Sequence, residues 1–130
     1  MKKLNDFFYK LLKKGNKVYY SILEENYYIS DGIVVGIFNK EDILINLDKC
    51  KQVDFRIFDF SNLVYELQQI KHVNLEDGML LTELSDGTFI KNKYLDLFNN
   101  YTIMSSGSTS PVKIECDGCV KGYILPIRKY

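Results

Sequence analysis

KYLDLFNN at residues 93–100, YTIMSSGSTSPVKIE at 101–115 and CDGCVKGYILPIRKY at 116–130 form the stretch that decides the fold. Tyr94, Leu95, Leu97 and Phe98 supply apolar contacts at helical spacing, and Asn92 is placed to cap a helix over residues 93–99. Three strand-like runs follow. Residues 101–105 lead into a polar Ser-Ser-Gly-Ser-Thr bend. Residues 111–115 and 120–127 are then joined at Asp117-Gly118, a two-residue hairpin signal. Pro126 inside the last run implies an edge position or a bulge, because proline has no N–H to give to a ladder. A short helix set among antiparallel strands points to an α+β fold.

Working outward, residues 2–14 (KKLNDFFYKLLKK) read as an amphipathic helix. At about 100° per residue, Leu4, Phe7, Phe8, Leu11 and Leu12 share one broad face, and Lys2, Lys3, Lys10, Lys13 and Lys14 share another. Gly15-Asn16 stops the helix. Residues 17–23 and 26–30, rich in tyrosine and β-branched side chains, pair across Glu24-Glu25, and Asp31-Gly32 turns the chain into a third strand over 33–38. Asn39 to Asp42 caps a short helix over 43–49, or DILIN is a strand; the pattern leaves both open. Residues 52–58 alternate as a strand, and Ser61 stands as the N-cap of a helix through Ile70, in which Leu63, Leu67 and Ile70 keep helical spacing. Residues 79–84 and 88–90 flank Ser85-Asp86-Gly87, another hairpin. Asp-Gly occurs at 31, 77, 86 and 117, the mark of recurring positive-φ turns in a strand-rich chain. The two Ser-Asp-Gly turns each lead to apolar residues and a lysine-bearing helix start, which suggests two half-domains built alike.

The 130 residues suit one domain with an ordinary two-layer core, at 46% hydrophobic and 26% charged content. Seventeen basic residues balance seventeen acidic ones, so bulk charge argues for no particular partner and any nucleic-acid contact must come from local patterning. No apolar run approaches the roughly 18 residues of a membrane span, and the lysines at the start precede no apolar leader. Three cysteines without a secretory signal suit a reducing, cytoplasmic interior.

Lys93-Tyr94-Leu95-Asp96 at a helix start, a strand, a serine-rich bend, Ser110-Pro111-Val112-Lys113-Ile114 and a closing Leu125-Pro126-Ile127-Arg128-Lys129-Tyr130 come in a telling order and spacing. They resemble the final half-domain of the bacterial DNA polymerase sliding clamp family, the ring-shaped replication processivity factors. The likeness is clearest over residues 89–130. LNDFFYKLLKKGNKVYYSILEENYYISDG (4–32) is similar in order to the first helix and strands of a clamp domain, whereas 33–87 finds no match. The resemblance implies a single clamp-like domain of two strand-rich halves, each with a short helix packed on antiparallel sheet. The lysine face Lys2, Lys3, Lys10, Lys13 and Lys14 would then meet duplex phosphates without reading sequence. The resemblance also implies an apolar pocket for short linear peptides of replication or repair proteins, made here by Tyr94, Thr109, Pro111, Ile124, Leu125, Pro126, Ile127 and Arg128. A clamp ring contains six such domains and this chain accommodates one. Encircling DNA would take about six copies, hence a homo-oligomer, or a different partner. Part of each pocket would also come from a neighbouring domain.

Other chemistry reads as bland. Cys116-Asp117-Gly118-Cys119 has the spacing of a zinc knuckle or a redox pair, but Asp-Gly is equally a hairpin turn with the cysteines as its flanking cross-strand pair. Only Cys50 and His72 remain to complete a zinc site, and neither has paired spacing, so the reading is structural thiols and no metal. His72, expected at a helix end, has no nucleophile motif to serve. No phosphate-binding glycine loop appears, and Glu24-Glu25 and Glu41-Asp42 look like turn and capping charges. The tyrosines and phenylalanines fall in elements where packing accounts for them better than base stacking does. The sequence therefore suggests no enzyme and no cofactor. It suggests a small clamp-like DNA replication protein that self-assembles on DNA or binds clamp-partner peptides. The competing reading is an interaction module, mimicking one clamp domain through its 124–128 edge, that does not touch DNA.

Overall fold

The structure, a computed structural model, describes residues 1–54, 60, 62–74 and 78–127. Most of the strand expected over 52–58, the cap at Ser61 and the pocket residue Arg128 lie outside the described residues. The class is α+β, with two α-helices and eleven strands among the described residues. The chain divides into two compact units, Met1–Ser61 and Asn62–Tyr130, each strand-rich and each carrying one helix.

In the first unit, helix α1 (Lys2–Lys13) precedes β1 (Tyr19–Leu23), β2 (Asn26–Ser30), β3 (Val34–Asn39) and β4 (Lys51–Gln52). The strands lie in the order β4-β1-β2-β3, antiparallel except for the parallel β1–β4 pair. Leu4 and Phe8 are buried beneath α1, and each fully buried side chain of this size contributes about 1.5–3 kcal/mol. The Phe8 ring sits 6.4 Å from that of Phe38 on β3, inclined at 59°. Gly36 makes the approach feasible. A β-carbon there would stand 2.8 Å from Phe38 Cε2 and 3.2 Å from Leu4 Cδ1. The Asp31-Gly32 turn is an Asx turn, in which Asp31 Oδ1 accepts from the amides of Ile33 (2.8 Å) and Val34 (2.9 Å).

Residues 43–49 follow neither alternative. Two single turns of 3-10 helix, Lys40–Asp42 and Leu47–Lys49, bracket extended chain, and Asn46 Oδ1 accepts from the Asp48 amide at 3.0 Å. This irregular stretch is anchored by Asn5, which is 4% exposed within α1. Asn5 Nδ2 donates to Met1 O (3.1 Å) and Asp42 O (2.9 Å), and its Oδ1 accepts from the Leu44 amide (2.9 Å). A buried side-chain amide thus does for the loop what a ladder would otherwise do.

In the second unit, β5 (Glu66–Gln68) pairs with β9 (Tyr101–Ser105), β9 with β10 (Val112–Cys116) and β10 with β11 (Cys119–Ile124), all antiparallel. A separate three-stranded sheet contains β6 (Ile70–Asn74), β7 (Leu80–Leu84) and β8 (Phe89–Lys91), and α2 (Asn92–Leu95) follows at once. The inward faces supply Leu81, Leu84, Ile90, Ile103, Val112, Ile114 and Ile124, with Leu95 and Phe98 from the helical turn.

Three expectations are corrected here. No helix runs to Ile70: residues 66–68 bond to β9 and 70–74 to β7. Leu67 and Ile70, which suggested a helical core face, are 68% and 41% exposed, so their spacing marks no buried stripe. His72 accordingly sits within a strand, not at a helix end. Asn92 is the first helical residue and not the cap; Lys91 holds that position, without a side-chain bond. Asn92 Oδ1 instead accepts from Thr82 Oγ1 (3.0 Å), while its Nδ2 donates to Asp96 Oδ2 (3.3 Å). The Thr82 hydroxyl, having given its proton to Asn92, accepts from His72 Nδ1 at 3.2 Å, which fixes the proton on that nitrogen. The helix itself closes at Leu95. Beyond it, Leu97 N bonds Tyr94 O and Phe98 N bonds Leu95 O, the tighter turn spacing.

Candidate functional site

The first candidate surface is the outer side of α1. Lys2, Lys3, Lys10, Lys13 and Lys14 are all exposed, and at about 100° per residue they occupy an arc of roughly 120° opposite Leu4 and Phe8. Burial of the apolar side therefore leaves the ammonium groups no direction but outward. Lys10 and Lys13 also stand in the last turn, where cations are favoured by the helix dipole. One carboxylate, exposed Asp6, falls inside the same arc. A row of ammonium groups on a rigid helix can neutralise several phosphates of one duplex groove wall without specifying bases.

The second candidate is the pocket at the end of the chain, whose residues the structure distributes unevenly. Tyr94 is 3% exposed and Ile124 is fully buried; both are core side chains, Tyr94 in α2 with the Lys93 ammonium 5.0 Å from its ring centroid. Thr109 lies exposed in the polar bend, and Leu125, at 43% exposure, is the most open apolar member. Pro111, Pro126 and Ile127 are half-buried. Pro126 falls after β11 rather than within it, so the edge or bulge it was expected to impose is not needed. Ile127 is tied down separately, its amide donating to Phe89 O at 2.8 Å. The accessible part of the expected pocket is therefore the Thr109–Pro111 bend and the Leu125–Ile127 tail.

One residue that the sequence reading passed over belongs with them. Tyr65 donates its hydroxyl to Pro111 O at 2.7 Å, and its ring centroid lies 6.5 Å from that of Tyr123 and 4.7 Å from the Lys113 ammonium. Burial, and then the neighbouring Tyr123, push the Tyr65 phenol up to about 12. Register places Leu67, Met104, Lys113 and Tyr123 in one cross-strand row over β5, β9, β10 and β11. This gives the second unit a mixed apolar and aromatic outer face. The one signal for it in the sequence was the alternation along 112–116. A depression of about 240 Å³ opens elsewhere in the unit, lined by Met79, Leu80, Lys91, Asn92, Lys93 and Asp96, and shares no residue with the expected pocket.

The hairpin expected at Asp117-Gly118 forms, with the two cysteines as its flanking pair. Cys116 and Cys119 are opposed across β10 and β11, and Asp117 and Gly118 have φ of 52° and 78°, the positive pair a type I′ turn requires. Among the described residues, no group of three or more potential ligands converges on a metal site. Within the same residues, no helix is long and apolar enough to cross a membrane. No family model, no curated protein and no solved structure matches the chain.

Proposed function

We propose that this chain is a non-enzymatic, clamp-like DNA-associated protein that holds duplex phosphates on the lysine face of α1 and presents its C-terminal edge to partner peptides. The observation that carries the reading is the segregation on α1: Lys2, Lys3, Lys10, Lys13 and Lys14 exposed, Leu4 and Phe8 buried opposite. The sliding-clamp resemblance of residues 89–130 gives that face a duplex as its partner and replication as its setting. A homo-oligomer would multiply the few phosphate contacts of one helix into firm binding. A cytoplasmic location fits three cysteines that stand as free thiols.

The test is duplex binding by fluorescence anisotropy across a salt series. Five phosphate contacts give a slope of log K against log salt near −4.5, from about 0.9 per contact. Replacing Lys10, Lys13 and Lys14 by glutamine removes about 2.7 from that slope, with equal loss on unrelated sequences. A wild-type slope near zero, or a triple variant that binds as the parent does, refutes the DNA face. Light scattering over a concentration series decides assembly; a strict monomer rules out a self-assembled ring.

A second reading rests on exposed Leu125 beside half-buried Pro126 and Ile127. There the chain is an interaction module that docks a protein partner along this edge and leaves DNA alone. It is the reading that stands if anisotropy detects no duplex binding at low salt.

A further inference from the structure

We propose that Cys116 and Cys119 form a redox-active dithiol that closes to an intramolecular disulfide by exchange with a low-molecular-weight disulfide such as oxidised glutathione. Neither the DNA reading nor the peptide-edge reading uses these residues. Their register makes them directly opposed partners flanking a two-residue turn. Flanking a type I′ turn they are a hydrogen-bonded pair, with Cα atoms about 5.5 Å apart, inside the roughly 4.4–6.8 Å that disulfides span, and their side chains leave the same face of the hairpin. Closing the bond therefore asks for side-chain rotation and an approach of the two β-carbons by about 1 Å, which a two-strand hairpin end can supply. With no third ligand among the described residues, the pair is better supplied for sulfur–sulfur chemistry than for tetrahedral zinc.

The two sulfurs differ in a way that orders the exchange. Cys119 is exposed and Cys116 half-buried. Burial pushes the Cys116 thiol up, with Lys121 pulling the other way and Asp117 adding to the rise. Cys119 as thiolate attacks one sulfur of the oxidant; the oxidant's S–S bond breaks, and its departing thiolate takes a proton from solvent. Cys116 then loses its proton and attacks Cys119 Sγ, expelling the second thiol. Two electrons pass from the protein pair to the oxidant, two thiol protons are released and two thiols take them up, so two reduced thiols form. The product ties β10 to β11 at the far end of the hairpin from Pro111 and Leu125. Cys50 is an internal control: it belongs to the first unit, and its thiol donates to Asn46 O at 3.7 Å.

The experiment equilibrates the purified chain in mixtures of oxidised and reduced glutathione, quenches with acid, alkylates free thiols and digests with trypsin. Cleavage after Lys113 and Lys121 releases residues 114–121 with both cysteines. The expected product is that peptide about 2 Da lighter and unalkylated, with Cys50 alkylated throughout. The folded chain should reach half-oxidation at an oxidised-glutathione level about tenfold lower than the free 114–121 peptide, because the strands pre-organise the pair. Cys116→Ser should accumulate a glutathione adduct on Cys119 that the parent, in the same mixture, resolves. Oxidation no easier than in the peptide, two glutathiones on one hairpin, or a bond to Cys50 or to a second chain would each overturn the proposal.

Discussion

Asn5→Ala removes the side chain that ties the irregular stretch after β3 to α1. Asn5 makes three side-chain hydrogen bonds, to Met1 O, Asp42 O and the Leu44 amide. Met1 O keeps the backbone donor of residue 5 itself, at 3.0 Å, so that group stays satisfied. Asp42 O and Leu44 N lose a partner in a part-buried setting, at about 1–1.5 kcal/mol each. Alanine returns about 0.6 kcal/mol through its better helix propensity. The net loss is about 1.5–2.5 kcal/mol. Urea unfolding followed by circular dichroism reads this as a midpoint lowered by about 1 M, at an m-value near 2 kcal/mol/M. Asn5→Asp gives an independent arm. It keeps an acceptor for Leu44 N but turns a carboxylate oxygen towards Asp42 O, so it should be destabilised at neutral pH and partly restored below about pH 4. A loss under about 0.5 kcal/mol for alanine, with no acid recovery for aspartate, would refute the claim that Asn5 anchors the irregular segment.

Gly36→Ala places a methyl 2.8 Å from Phe38 Cε2, an overpacking worth about 1–3 kcal/mol, and Phe38→Leu in the same chain should recover part of it in a thermal melt. Asp86 is pushed up by burial, but the hydrogen bonds from Ser105 and Thr88 outweigh this and hold its carboxyl below the ordinary range. A depressed folded-state value gives stability that is present above the unfolded value and lost as pH falls through the folded one. Asp86→Asn should therefore flatten the acid side of the urea midpoint against pH, and an unchanged acid limb would count against it. Tyr65, pushed up to about 12, gives the opposite sign: its contribution is complete below the unfolded value near 10 and lost as pH rises through 12. Burial and Asp96 push the Tyr101 phenol up as well, so absorbance titration at 295 nm should lose one of its late phenols in Tyr65→Phe.

Legibility followed locality. The helix from Lys2, the β1–β2 link at Glu24-Glu25 and the hairpins at Asp86-Gly87 and Asp117-Gly118 were readable because turn chemistry and short-range periodicity decide them within a few residues. Residues 62–74 were not. Leu63, Leu67 and Ile70 have helical spacing, yet the backbone partners that extend this stretch sit near residues 80–84 and 103–105, and long-range ladders override weak local preference. Asn92 carried a cap signal, but its buried amide answers to Thr82 and Asp96, which no local pattern names. The lysine face was legible as periodicity. Of the pocket residues, Thr109 and Leu125 proved open, whereas Tyr94 and Ile124 went to the core, since apolar character does not say which side of a strand or turn a side chain will take. Tyr65 was missed for the same reason as the helix: its partners Pro111, Lys113 and Tyr123 lie at least 46 positions away.

The pairing of β10 with β11 skips a residue: Ile114 faces Gly122 and Glu115 faces Val120, so Lys121 has no opposite number. Without that skip, continuing the lower ladder would set Cys116 against Val120 and leave Asp117, Gly118 and Cys119 to make a three-residue loop. Lys121 thus works as a vernier between two phases. One phase is dictated by the turn, which needs two central residues; the other by the core, which needs Ile114 and Ile124 on its side. Each end of the hairpin can zip in its own preferred phase, and the mismatch collects at one lysine. Excising Lys121 would leave the β10–β11 pairings on either side of it where they stand, so this ladder should absorb the loss of a residue there more readily than at its neighbours.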